Sequence, residues 1–147
     1  MTAQNPSASR PTILWFRTDL RLSDNAALAQ AARAQKPVIG CYILEDPLAD
    51  HLALGGAQKW WLHHSLDTLS RQLDKLGMPL VLRRGKAQLC LESLIEETGA
   101  DTIFWNRRYA PAHIAHDTQL KQALGERGLT VRSFDGHLMH EPTRFET

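Results

Sequence analysis

Two short stretches hold most of the side chains able to do chemistry. Arg17-Thr18-Asp19-Leu20-Arg21, with Asp24 beyond it, alternates charge between Phe16 and Leu22; Asn106-Arg107-Arg108-Tyr109 places two guanidinium groups and a phenol just ahead of Pro111. Guanidinium groups and a ring before a helix N-terminus can hold an anionic or planar ligand. The same residues can equally form a surface ion-pair ladder worth little and a solvated loop around a packed tyrosine. The first stretch contains no glycine, so neither a dinucleotide fingerprint nor a P-loop forms there, and an ordinary NAD domain and an NTPase are both disfavoured. His113 and His116 stand three apart, as do His137 and His140. Neither pair has the accompanying cysteine or carboxylate set of a metal site, so both read as surface histidines. No Gly-x-Ser-x-Gly elbow is present to support Ser-His-Asp catalysis.

The elements that position these residues follow from periodicity. Thr12 to Phe16, Pro37 to Leu44, Pro79 to Arg84, Asp101 to Trp105 and Leu129 to Phe134 are apolar runs of strand length. Between them lie helical stretches: Asn25 to Ala34, with Asp24 as the expected N-cap; Ala57 to Leu76; Lys86 to Thr98; and Pro111 to about Leu124. Gly77 and Gly99 fall where helix ends favour glycine. Alternating strands and helices predict an α/β fold: a Rossmann-like three-layer αβα sandwich on a five-stranded parallel sheet of order 3-2-1-4-5. In the second helix, Leu62, Leu66, Leu69, Leu73 and Leu76 trace one stripe. Trp60 lies roughly 160° from Leu62 and faces away from it with His64, Asp67 and Arg71. It is expected to lie under the Glu45 to Gly56 loop, or against a ligand or another domain; Trp61, roughly 100° off the stripe, is expected at the core margin. Cys41 is expected in the core. The tail from Asp135 has no period and no evident place in the sheet.

Composition bounds the rest. With 147 residues, 43% hydrophobic and 22% charged, the chain suits one soluble domain. Its formal charge of +1 disfavours an independent DNA-binding module. Two cysteines, Cys41 and Cys90, are too few for a disulfide framework and suit a reducing, cytoplasmic setting. Met1 to Arg10 lacks the apolar stretch of a signal peptide, and the run Pro37 to Leu44 is too short to cross a bilayer.

Trp15-Phe16-Arg17-Thr18-Asp19-Leu20-Arg21-Leu22-Ser23-Asp24-Asn25 closely resembles the N-terminal signature of the DNA photolyase and cryptochrome family. The likeness continues through Gly40 to Leu44, Leu76 to Leu80, Phe104 to Tyr109 and Leu138 to Pro142. The resemblance implies an α/β antenna domain over residues 12–135, after a disordered leader (1–11) and before a tail or linker (136–147) toward a helical domain absent from this chain. In the family that helical domain binds FAD and damaged DNA, and photolyases, which are carbon–carbon lyases, use light-excited reduced FAD to split cyclobutane pyrimidine dimers flipped out of the helix. The antenna domain itself is not expected to be catalytic; it holds a dye that passes excitation to FAD. The implied dye-binding residues are Tyr42, Ile43, Gln58, Asn106, Arg108, Tyr109 and His113, and the implied structural and interdomain residues are Trp15, Arg17, Asp19, Arg21, Asp24, Asn25 and Trp60. The parent is expected to be a cytoplasmic monomer that makes no membrane contact.

Departures from the family pattern bear on the dye. Ala112 and His113 stand where folate-binding members carry an Asn-Glu pair, and Gln58 and Arg108 where deazaflavin-binding members have an arginine and an acid. Ala110 replaces a usual acid, and His116 a usual arginine. Methenyltetrahydrofolate, including a polyglutamated form, a deazaflavin, FMN and an empty site all stay open. Two alternative functions also stand: a cryptochrome photoreceptor without repair activity, and a stand-alone nucleotide-binding α/β protein.

Overall fold

The computed structural model describes residues 9–47 and 53–139. Most of the expected leader, the centre of the Glu45 to Gly56 loop, and the tail from His140, which holds the end of the Leu138 to Pro142 motif, lie outside the described residues. The elements are β1 Thr12–Phe16, α1 Ala26–Arg33, β2 Val38–Glu45, α2 Gly56–Asp74, β3 Leu80–Gly85, α3 Ala87–Thr98, β4 Thr102–Asn106, α4 Pro111–Glu126 and β5 Thr130–Phe134. All strand pairings are parallel. The sheet order is β3-β2-β1-β4-β5, as the alternation of elements predicts.

Side chains of a strand point alternately to opposite faces, and the register sorts them into two cores. Trp15 lies beside Cys41 and Trp105; these pack with Ile13, Ile43 and Ile103 against Leu91 and Leu94 of α3 and Leu120 and Leu124 of α4. Leu14, Phe16 and Phe104 face the other way, against Ala27, Leu28 and Ala31 of α1 and Leu69 and Leu73 of α2. Each fully buried large apolar side chain contributes roughly 1.5–3 kcal/mol relative to exposure. Cys41 is fully buried, and desolvation pushes its thiol up to about 12.

Helix α2 differs from the expected stripe. Leu69 and Leu73 are fully buried, whereas Leu62 and Leu66 are only half-buried and Leu76 is exposed beyond the helix end. The helix therefore lies on the sheet through its C-terminal half. Packing is tight at Gly40 of β2, where a Cβ would sit 3.2 Å from both the Leu73 side chain and the Pro79 carbonyl oxygen. In the N-terminal half Trp60 faces away from the sheet, but Trp61 is not at a core margin: at 66% exposure it is more open than Trp60 at 58%. Among the described residues no side chain of that half of the helix is fully buried.

The α1 cap also differs by one residue. Asp24 takes the left-handed conformation, with φ 50°, and its side chain points to solvent. Asn25 has the extended backbone a cap requires, and its Oδ1 accepts from Leu28 N–H at 3.0 Å. Gly99, with φ 69°, closes α3 in the left-handed conformation, and Pro111 opens α4. Among the described residues no helix is long and apolar enough to cross a membrane.

Candidate functional site

Strands β1 and β4 are neighbours whose onward connections run in opposite directions, so their carboxyl ends open the crevice where ligands of such sheets bind. Here that crevice is bridged from within. Asn106, the last residue of β4, donates from Nδ2 to Asp19 Oδ2 at 2.6 Å and to Asn25 Oδ1 at 2.8 Å, and its Oδ1 accepts from Ala27 N–H at 3.0 Å. Asp19 Oδ1 in turn accepts from the backbone of Arg17 at 2.8 Å. The Ala27 and Leu28 amides in the first turn of α1 are thereby taken by Asn106 and Asn25. In a nucleotide-binding sheet those amides face a phosphate.

Behind this bridge lies a buried charge network. The Arg17 guanidinium donates to the Asn106 carbonyl oxygen and pairs with Asp117 of α4 at 2.6 Å. Arg108 pairs with the other oxygen of Asp117 at 2.8 Å and with Glu45 at 3.0 Å. His116 lies 3.6 Å from Asp117 and 4.0 Å from Glu45. The guanidiniums sit over the rings below them, Arg17 at 4.7 Å from Trp15 and 5.6 Å from Trp105, Arg108 at 5.6 Å from Trp15. Burial alone would raise the Asp117 carboxyl; the charge of Arg17 and the hydrogen bonds from both arginines outweigh it and hold that carboxyl below its usual range. Burial, and then the neighbouring Arg108, pull Arg17 below its ordinary value against the opposing effect of Asp117.

The residues nominated by sequence divide between this network and other places. Trp15, Arg17, Asp19, Asn25, Asn106 and Arg108 meet in it. Arg21 and Asp24 do not: Arg21 bonds the carbonyls of Ser23 and Asp24 at the surface. Tyr42 and Ile43 point to opposite faces of the sheet, Tyr42 beside Phe16 on the α1–α2 face and Ile43 in the opposite core. Desolvation, with the charge of Glu45, raises the Tyr42 phenol. Gln58 accepts from Gly55 N–H at 2.9 Å at the start of α2, close in sequence to Trp60. Trp60 packs against His64 at 4.3 Å and edge-on to Trp61 at 5.3 Å. Tyr109 reaches Gly136, and His113 is half-buried in the first turn of α4.

Asp117 and Glu45 are the members that sequence reasoning missed. A signal for Asp117 existed: two arginines at strand ends call for a carboxylate, and α4 carries no other acid before Glu126. Beside the bridge is an open cavity of about 310 Å³ bordered by Asp19, Arg21, Asn106, Arg107, Asp135 and His137. No group of three or more metal-ligating side chains occurs among the described residues.

A sequence model of one protein family, described as DNA photolyase, matches residues 12–147. The chain belongs to the DNA photolyase family. It is 57% identical over 137 residues to a deoxyribodipyrimidine photo-lyase of Agrobacterium fabrum, a match covering 93% of this chain and 28% of that protein. It is 39% identical over 132 residues to cryptochrome-1 of Arabidopsis thaliana, covering 89% of this chain and 19% of the relative. The crystal structure of a class III photolyase from Agrobacterium tumefaciens superposes with a TM-score of 0.87 at 53% identity, over all of this chain and 30% of the other. An archaeal photolyase from Sulfolobus tokodaii, solved with two FAD molecules, gives 0.80 at 25% identity over 93% of this chain. The chain thus spans less than a third of these longer relatives. In this member of the photolyase family, the segment Trp15 to Asn25 is the strand end, bridge and cap just described.

Proposed function

We propose that this chain is the light-harvesting N-terminal domain of a cytoplasmic, monomeric deoxyribodipyrimidine photolyase. The rest of that protein, a helical domain, would bind FAD and damaged DNA and carry out the lyase reaction on cyclobutane pyrimidine dimers. The observation that carries the reading is the open cavity at the carboxyl ends of β1 and β4, with Arg21, Arg107 and His137 on its border. Its volume falls at the lower end of the range of small-molecule sites, about 300–1,000 Å³. Two buried donors of the neighbouring charge network, Trp15 Nε1 and Arg108 Nε, meet no acceptor among the described residues; neither borders the cavity, and ordered water would supply an acceptor.

The cavity lining carries both signs, Arg21 and Arg107 against Asp19, Asp24 and Asp135, so it suits a polar dye and leaves a folate, FMN and a deazaflavin equally open. Arg21, whose side chain donates to the Ser23 and Asp24 carbonyls at the surface, would be the cation that turns to a polar group of the dye, while Arg107 is held by Asp135 and Asn106 would fix the cavity floor through the bridge to Asp19. When bound, such a dye absorbs near-ultraviolet or blue light and makes the excitation available to FAD. Arg108, Tyr42 and Tyr109 would serve the site indirectly, since Arg108 is held by Glu45 and Asp117, Tyr42 lies on the α1–α2 face, and Tyr109 bonds Gly136. Gln58 and His113, on α2 and α4, would at most touch its outer edge. Trp60 and Trp61 would be covered by the helical domain.

A cryptochrome with the same domain is the second reading, favoured by the identity to the Arabidopsis cryptochrome. A stand-alone nucleotide-binding protein is disfavoured, because the α1 amides a phosphate would use are capped by Asn106 and Asn25. Titration of the purified chain with methenyltetrahydrofolate, FMN and a deazaflavin, followed by absorption, tests the dye. One of the three is expected to bind, and Arg21→Ala to weaken it by about tenfold, the loss of one charge-assisted hydrogen bond. If none binds and dimer repair by the longer protein follows the absorption of FAD alone, the light-harvesting reading fails. Repair itself separates photolyase from cryptochrome.

A further inference from the structure

We infer that Tyr109 is a positioning residue whose hydroxyl sets the direction in which the chain leaves the α/β domain. After β5 the chain folds back onto the loop between β4 and α4. Arg107 N–H donates to the Phe134 carbonyl at 2.9 Å, extending the β4–β5 ladder past the strand ends. The Arg107 side chain pairs with Asp135 at 2.8 Å and donates to the Ser133 carbonyl at 3.3 Å. Tyr109 Oη accepts from Gly136 N–H at 2.8 Å, and its ring meets the His137 ring edge-on at 5.2 Å.

Position 136 is enclosed. A Cβ there would lie 2.5 Å from the Arg107 carbonyl oxygen and about 3 Å from the Tyr109 ring edge and hydroxyl. A backbone oxygen cannot yield as a flexible side-chain end can, so only glycine lets the chain pass between Arg107 and Tyr109 in this path. The gripping loop is itself anchored, since Arg108 between these two residues reaches Asp117 and Glu45. The exit of the chain and the cavity are therefore built on one loop, with Arg107 and His137 belonging to both. If the light-harvesting reading holds, this bracket fixes the geometry between the dye and whatever follows residue 139.

Backbone ¹⁵N relaxation and amide exchange on the purified chain test the bracket without light or dye, so its failure and that of the functional reading are distinguishable. In the wild type, residues 133–137 are expected to show order parameters of about 0.85, as in rigid backbone. Tyr109→Phe keeps the ring and removes the acceptor. It is expected to lower the values at 136–139 below about 0.6 and to speed exchange of the Gly136 amide by about tenfold, with β1 to β5 unchanged. Gly136→Ala is expected to loosen the same residues, and His137→Ala to do so less. The inference is overturned if these residues are already loose in the wild type, if Tyr109→Phe leaves the Gly136 amide unchanged, or if that variant lowers Tm without local loosening.

Discussion

The carboxyl edge of the sheet and the N-terminal half of α2 treat their costly groups in opposite ways. At the sheet edge two guanidiniums and two carboxylates are withdrawn from water, and Arg17 and Arg108 are at most 9% exposed. They are tolerable there because Asp117 uses both oxygens and Trp15 and Trp105 lie beneath the charges. On α2, two tryptophans stand more than half exposed with little but each other and two histidines for company. In the first region the charges are matched within this chain, and only Trp15 Nε1 and Arg108 Nε lack an acceptor among the described residues. The second presents aromatic surface for which the described residues offer no cover, and such surface commonly marks an interaction site.

The largest break in that contrast should come from Asp117→Ala, which leaves two buried guanidiniums facing each other. A loss of about 3–5 kcal/mol is expected, read as a fall in the urea midpoint. A change no larger than that of a surface substitution would mean that the network is solvated after all. Acidification probes the same carboxylate more gently. Its folded value lies below its unfolded one, about 3.9, so its contribution is complete above that pH and is lost as pH falls through the folded value. The wild-type midpoint should therefore decline below about pH 4 more steeply than that of Asp117→Asn; parallel profiles would place the acid sensitivity elsewhere. The smallest effect is expected on α2. Trp60→Ala with Trp61→Ala should change stability by no more than about 0.5 kcal/mol in this chain, and a loss well above that would show that the pair is already packed.

How far each region could be read in advance differs for a physical reason. The sheet order and the two cores were legible because strand and helix periods are local and the right-handed crossover rule does the rest. The charge alternation of Arg17, Asp19, Arg21 and Asp24 was visible, but not that its first half turns inward while its second stays at the surface. That choice depends on Asp117, one hundred residues away, and periodicity carries no information at such separations. The one-residue error at the α1 cap is of the opposite kind. Asp24 and Asn25 are both good caps, and only the backbone turn at Asp24 decides between them. Trp61 was misplaced because a helical wheel assumes that the whole helix lies against a core.

Gly40 settles how far that assumption fails. Helix α2 rests on the sheet where Leu73 crosses position 40, and a single methyl group there would act as a wedge between them. The Leu73 side chain and the Pro79 carbonyl would have to give by a few tenths of an ångström, so the bare backbone at residue 40 sets how closely this end of the helix can seat. The tryptophans lie on the other end of α2, the one that this seat does not hold.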